Sequence, residues 1–210
     1  MEPVTLSGQH VRLVPLTADH APGLLAAAGG DRSTFTYTWV PDGEDDVRRY
    51  LAKALEDQAA GTTLAFATIR RADGEVIGST RFMNAERWKW SRAGVHPDAV
   101  EIGSTWLTAS AQRTPINTEA KLLMFTHAFE VWEVLRVTLK TDARNVRSRD
   151  AILRLGARFD GVLRAHMPAY DAAEPRDSAF YSILASEWPS VRDRLTASLA
   201  GIPDRGRPGR

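Results

Sequence analysis

Apolar positions recur along this chain with two periods, and their order predicts the elements. His10–Leu16 alternates Val11 and Leu13 against Arg12 and Val14, a short strand blunted by Pro15. The Ala/Leu-rich stretch Ala18–Ala28 predicts a helix that ends at Gly29-Gly30. Asp42–Ala60 predicts a second helix, with Glu44, Asp45 and Asp46 at the positive end of its dipole. Thr63–Arg70 and Glu75–Met83 read as strands joined by the hairpin signal Ala72-Asp73-Gly74.

Val100–Thr108 predicts the next strand, with Val100, Ile102 and Trp106 on one face and Glu101, Thr105 and Leu107 on the other. A helix over Glu119–Trp132 presents Leu122, Phe125, Phe129 and Trp132 together. Leu135–Thr141 is a strand, and Asn145–Leu155 a helix with Asn145 as N-cap and Gly156 just past its end. Strands at Phe159–Met167 and Asp177–Leu184 follow, then a helix from near Ser186 with Pro189 in its first turn. The sum is an α+β fold: a mixed, mostly antiparallel seven-stranded sheet flanked by helices, with a parallel crossover over 100–141.

Composition narrows the classes. The 210 residues suit one domain, 1–200, followed by a disordered Arg/Gly/Pro tail, 201–210. Lys and Arg total 27 against 26 for Asp and Glu, so net charge argues for neither nucleic acid nor a membrane surface. Arg205, Arg207 and Arg210 leave open a ribosome- or RNA-docking tail. The absence of cysteine removes a thiol nucleophile and any thiolate-ligated metal, and it fits a cytoplasmic location. Met1–Gly8 carries no apolar signal core, and no stretch approaches a membrane span. His10, His20, His96, His127 and His166 lack metal-ligand spacing.

Chemistry concentrates in 101–156. Ala109–Ala120 leaves a strand and enters a helix, which gathers free backbone N–H groups and a positive helix end where a phosphate could sit. Gln112 and Arg113 could add side-chain contacts, and Asn117 or Thr118 could cap the helix; an ordinary capped loop is the alternative. Glu101, mid-strand, is a candidate base, or else a carboxylate paired with an arginine such as Arg81. His166 is a reserve base if it faces the same cleft. Trp88, Trp90 and the segment Phe35–Val40 are either a lid and acceptor surface or anchors for their loops.

Glu101-Ile102-Gly103, Trp106-Leu107, Gln112 to Asn117, Asn145-Val146-Arg147-Ser148 and Leu155-Gly156-Ala157 together resemble the GNAT superfamily of N-acetyltransferases, in the branch of ribosomal-protein N-terminal acetyltransferases. The resemblance implies acetyl-CoA as donor, a primary amine (protein N-terminus, lysine or small amine) as acceptor, direct attack and no metal. It implies coenzyme A contacts from Trp106, Leu107, Thr108, Gln112, Arg113, Thr114, Ile116, Asn117, Thr118 and Asn145. Backbone N–H groups near Leu107 and Thr108 would meet the oxyanion if the strand splays there. Ser148 matches the serine given the leaving-thiolate role in that branch, the family's more usual tyrosine being Ile152 here; Ser148 is otherwise a capping residue. Pro115 and Asn117 replace small residues of the family's pyrophosphate loop, so the alternative is a non-catalytic acyl-CoA-binding domain. Relatives often form homodimers, a possible state here too.

Overall fold

The computed structural model describes residues 1–88 and 96–201. Its strands are β1 (Leu6–Ser7), β2 (Val11–Pro15), β3 (Leu64–Arg70), β4 (Val76–Glu86), β5 (Ala99–Leu107), β6 (Arg136–Asp142), β7 (Arg158–Pro168) and β8 (Pro175–Leu184). Its helices are α1 (Ala21–Ala28), α2 (Gly43–Ala59), α3 (Pro115–Thr126), α4 (Val146–Arg154) and α5 (Trp188–Ala200). The strands form one eight-stranded sheet in the order β1-β2-β3-β4-β5-β6-β8-β7. Only β5 and β6 run parallel, with α3 as their crossover. The eighth strand, beyond the seven expected, is the two-residue β1.

Both faces of the sheet are covered. Along β3, Leu64 and Phe66 join Val11, Phe82, Val100, Met124, Phe125 and Trp188, the cluster under α3 and α5. Their neighbours Ala65 and Ala67 join Leu24, Val47, Tyr50 and Leu51, the cluster under α1 and α2. This is the period-2 alternation of a strand buried on both sides.

β5 breaks that alternation. Its register to β4 passes from Arg81↔Gly103 to Ser79↔Trp106, three residues against two, and Ser104 takes φ 47°. The bulge reverses which face each later side chain meets. Trp106 therefore packs under α1 and α2, opposite Val100 and Ile102, which corrects the expected single face. Glu101 and Trp106 consequently share a face.

α3 starts at Pro115, earlier than expected, with Thr114 as N-cap, and beyond Thr126 it widens into a π-turn over His127–Val131. Its buried side includes two charged residues. Glu119 Oε1 accepts the Gln9 N–H (2.7 Å), and Oε2 accepts those of His10 (2.6 Å) and Val11 (2.8 Å). Gly8 is required beside it, since a Cβ there would lie 2.3 Å from Glu119 Cδ. Lys121 Nζ donates to Thr80 Oγ1 (3.0 Å) and Thr105 Oγ1 (2.7 Å), and burial lowers its pKa to about 7. At the far end of the sheet, α4 is capped by Asn145, whose Oδ1 accepts the Ser148 N–H (3.1 Å), and Gly156 follows the helix at φ 98°.

Glu119→Ala leaves the β1–β2 turn without its acceptor and should cost about 3 kcal/mol in urea unfolding; a loss below about 1 kcal/mol would contradict the capping role. For Lys121, the unfolded chain keeps its proton up to about pH 10 while the folded chain releases it near 7. Between those values unfolding takes up a proton, so rising pH stabilises the fold. The stability of the native protein relative to Lys121→Met should therefore increase from pH 7 to pH 9.5, and a difference independent of pH would contradict it.

Candidate active site

β5 and β6 part company early. They pair only at Ala99↔Arg136, Val100↔Val137 and Glu101↔Thr138, although the strands run on to Leu107 and Asp142. β5 stays with β4 to its end, and β6 stays with β8 over its whole length. Beyond Glu101 a V-shaped opening is left, with an unpaired edge of β5 along one side. The N-terminus of α3 follows the β5 end of this opening, and the N-terminus of α4 follows the β6 end. Two positive helix ends thus flank one gap.

Gln112 ties this mouth together. Its Nε2 donates to the Leu107 carbonyl (2.9 Å) and to Thr34 Oγ1 (2.8 Å), and its Oε1 accepts from Arg147 (2.9 Å). Arg113 is exposed at φ 58°. The Thr114 hydroxyl donates to the Ala111 carbonyl (2.7 Å) and accepts the Ile116 N–H (3.4 Å). The cap is thus Thr114, not Asn117 or Thr118, because Pro115 fits the first helical position, where its preset φ helps and an N–H is not needed. Asn117 and Thr118 lie in the first turn, half-buried, and Asn117 Oδ1 has no partner among the described residues.

Across the opening, Asn145 and Ser148 begin α4. Both are half-buried, and the Ser148 hydroxyl makes no hydrogen bond among the described residues. Ile152 is buried in the apolar core. The Thr108 N–H donates to the Ile77 carbonyl (2.8 Å), so β4 takes that donor and it cannot meet an oxyanion. Leu107 points its side chain into the core under α3.

Glu101 is only 6% exposed. Its Oε2 accepts from Lys140 Nζ (2.7 Å) and Asn84 Nδ2 (2.9 Å). The paired reading is therefore realised with Lys140, on β6, rather than Arg81. Both bonds fall on Oε2, which leaves Oε1 for another donor. Lys140 could have been found as the polar member between Leu139 and Thr141 on a strand next to Glu101; Asn84, at φ 50°, left no sequence signal.

On the same face, Lys140 Nζ stands 6.0 Å from the Phe180 ring, and His166 packs on that ring at 5.1 Å. His166 Nδ1 bonds Ser178 Oγ (3.0 Å). Burial lowers the His166 pKa, as do Lys140 and Arg176, while Glu101 opposes them. His166 is thus near the Glu101 pair without bonding to it. His127 is likewise held below its ordinary pKa, by burial and by His96.

The Phe35–Val40 segment roofs this face. Phe35 meets Trp106 edge-on (6.3 Å), Trp39 packs on Tyr50 (6.0 Å), and Tyr37 lies under the Arg144 guanidinium (5.0 Å). Trp88 behaves as an anchor: its N–H donates to Asp98 (2.8 Å) and its Nε1 to Glu86 (3.0 Å). Trp90 and the arginines at 205, 207 and 210 lie outside the described residues. Among the described residues no cluster of His, Asp or Glu could hold a metal, and no helix is long and apolar enough to cross a membrane.

The family model of the acetyltransferase (GNAT) domain matches residues 10–158. A GCN5-related N-acetyltransferase from Brucella melitensis is similar over 99% of this chain and 91% of its own, at 30% identity and a TM-score of 0.84. Mycobacterium smegmatis RimJ, solved with CoA-disulfide, shares the fold at 21% identity and a TM-score of 0.75, over 93% of this chain and 95% of its own. So does the ribosomal-protein-S5-alanine acetyltransferase of Vibrio fischeri, at 16% identity and a TM-score of 0.68, over 88% of this chain and 98% of its own. Comparison with curated proteins found no match. A GNAT-domain match over most of the chain, joined to this opened sheet, places the protein in the GNAT acetyltransferase family.

Proposed function

We propose that the protein moves an acetyl group from acetyl-CoA to a primary amine by direct attack at the opening between β5 and β6. The observation that carries this reading is the loss of pairing beyond Glu101, with the Glu101 carboxylate at its apex. The edge of β5 from Ile102 toward Trp106 offers backbone groups to an amide-bearing chain, as an added strand would, up to the Leu107 carbonyl and Thr108 N–H already bonded to Gln112 and Ile77. Trp106, Leu107 and Thr108 lie along that edge. The loop Gln112, Arg113, Thr114, then Ile116, Asn117 and Thr118, brings the positive end of α3 and its polar side chains to the diphosphate. Asn145 borders the arm from the α4 side.

In the reaction the amine nitrogen attacks the thioester carbon, the C–S bond breaks, and coenzyme A leaves as thiolate. Glu101 Oε1 receives the proton the amine must lose, with Lys140 and Asn84 holding the carboxylate in place through Oε2. The Ser148 hydroxyl donates a hydrogen bond to the departing sulfur. No cysteine is available for an acyl-enzyme. Pro115 at the first helical position removes an N–H at little cost, so it does not argue for a binding-only domain.

Thiol release from acetyl-CoA with a panel of primary amines, run beside calorimetric binding, tests the reading. Turnover with at least one amine is expected; tight binding with no turnover across the panel would favour a binding domain. Glu101→Gln should lower turnover about 10²-fold and flatten its pH profile, with acetyl-CoA affinity almost unchanged. An unaltered rate would remove Glu101 from the mechanism. Pro115→Gly should weaken acetyl-CoA binding by about threefold, because the preset φ is lost; tighter binding would show that the missing N–H limits affinity.

A further inference from the structure

Arg81 is the charge on the α1/α2 face that the reaction leaves unused. It is 8% exposed, and among the described residues its Nε has no hydrogen-bond partner and no carboxylate pairs with it. Its guanidinium stands over the Tyr50 ring at 5.0 Å. That ring is fixed from the other end, since the Tyr50 hydroxyl donates to Ser79 Oγ (2.8 Å) and Ser79 to the Phe66 carbonyl (2.8 Å). Cation–π attraction offsets part of the desolvation of a buried guanidinium, but it satisfies none of its N–H donors.

A second donor is stranded beside it. Among the described residues the Trp106 Nε1–H is also buried without a partner, and the Trp106 ring meets the same Tyr50 edge-on at 6.4 Å. The glutamate on this face does not serve Arg81, because Lys140 and Asn84 hold it. Arg81 opposes Gly103 across β4 and β5, one same-face step from Glu101, a diagonal of about 7–8 Å. Gly103 makes room for the Glu101 carboxylate beside Arg81: a Cβ there would come within 2.9 Å of Glu101 Oε1. Trp39, 42% exposed and packed on Tyr50, forms the outer lip.

We propose that Arg81 is the acceptor-recognition residue of this site and that the preferred acceptors are amines carrying a carboxylate. This rests on the acetyl-transfer reading and names its substrate class. A carboxylate supplies the acceptor oxygens that the Arg81 fork and the Trp106 N–H lack. Its attachment at Arg81 turns the amine of the same molecule toward Glu101. Opposite charges at the two ends of a short acceptor thus meet opposite charges on the protein. The carboxylate can be the α-carboxylate of a free amino acid or the side chain of an acidic peptide terminus.

The test uses the full chain and acceptors in matched pairs that differ only in carboxylate against carboxamide. One arm pairs amino acids with their amides, and another pairs C-terminally amidated peptides beginning with Asp or Glu with their Asn or Gln counterparts. In at least one arm kcat/KM should favour the carboxylate by at least about tenfold. Arg81→Met should bring that ratio to about one, and Arg81→Lys should retain part of it. Equal rates within every pair, a preference unchanged in Arg81→Met, or a stronger preference for a phosphate-bearing amine would overturn the proposal. The second readout is tryptophan fluorescence, titrated with the N-acetylated form of each compound, which carries no reactive amine. Saturable quenching by the carboxylate forms alone, absent in Arg81→Met, is expected. If no amine is turned over, the acetyl-transfer reading fails while this titration still decides the role of Arg81: equal quenching by both members, or none, would overturn it.

Discussion

The unpaired edge of β5 is the constraint on which the site depends. A strand edge with nothing to bond invites a partner, and here it begins one residue past the last β5–β6 pair, at Glu101. Two halves of the sheet are each held elsewhere: β5 by β4, and β6 by β8 through seven consecutive pairs, Arg136↔Leu184 to Asp142↔Ser178. The bulge at Ser104, just past the last β5–β6 pair, locally raises the twist of β5. An opening between two rigid halves is the result, and an extended chain bearing amides is the kind of molecule that closes it.

The helix that forms one lip of this opening is fixed by polar contacts as well as apolar ones. Through Glu119, α3 is tied to the turn before β2, and through Lys121 to Thr80 and Thr105 on the two strands beneath it. Burying ions without full compensation lowers stability. What it secures here is the position of the α3 N-terminus relative to the bulged strand. The opposite face shows the same trade: Glu101 is compensated by Lys140 and Asn84, whereas Arg81 waits on Tyr50.

Local chemistry made much of the fold legible. Asp73-Gly74 marks the β3–β4 hairpin, Asn145 and Gly156 bracket α4, and Pro189 sits in the first turn of α5. Misses arose where a local rule met a distant partner. No glycine at 104 announces the positive φ, so strict alternation places Trp106 on the face opposite the one it packs on. Asn117 and Thr118 are favoured caps, yet Pro115 at the first helical position places the cap at Thr114. Glu119 and Lys121 look like solvent-facing residues until the turn at 9–11 and the two threonines are brought to them. Glu101 stood out by its position in the strand, but its partners on β6 and at the end of β4 are contacts of the tertiary fold.

A crystal structure of the protein with bound acetyl-CoA tests the central claim most directly. The diphosphate is expected on the loop from Gln112 to Thr118, the pantetheine paired along β5 beyond Glu101, and the thioester between Glu101 and Ser148. A nucleotide bound elsewhere, or a thioester out of reach of Glu101 with the β5 edge left bare, would contradict it.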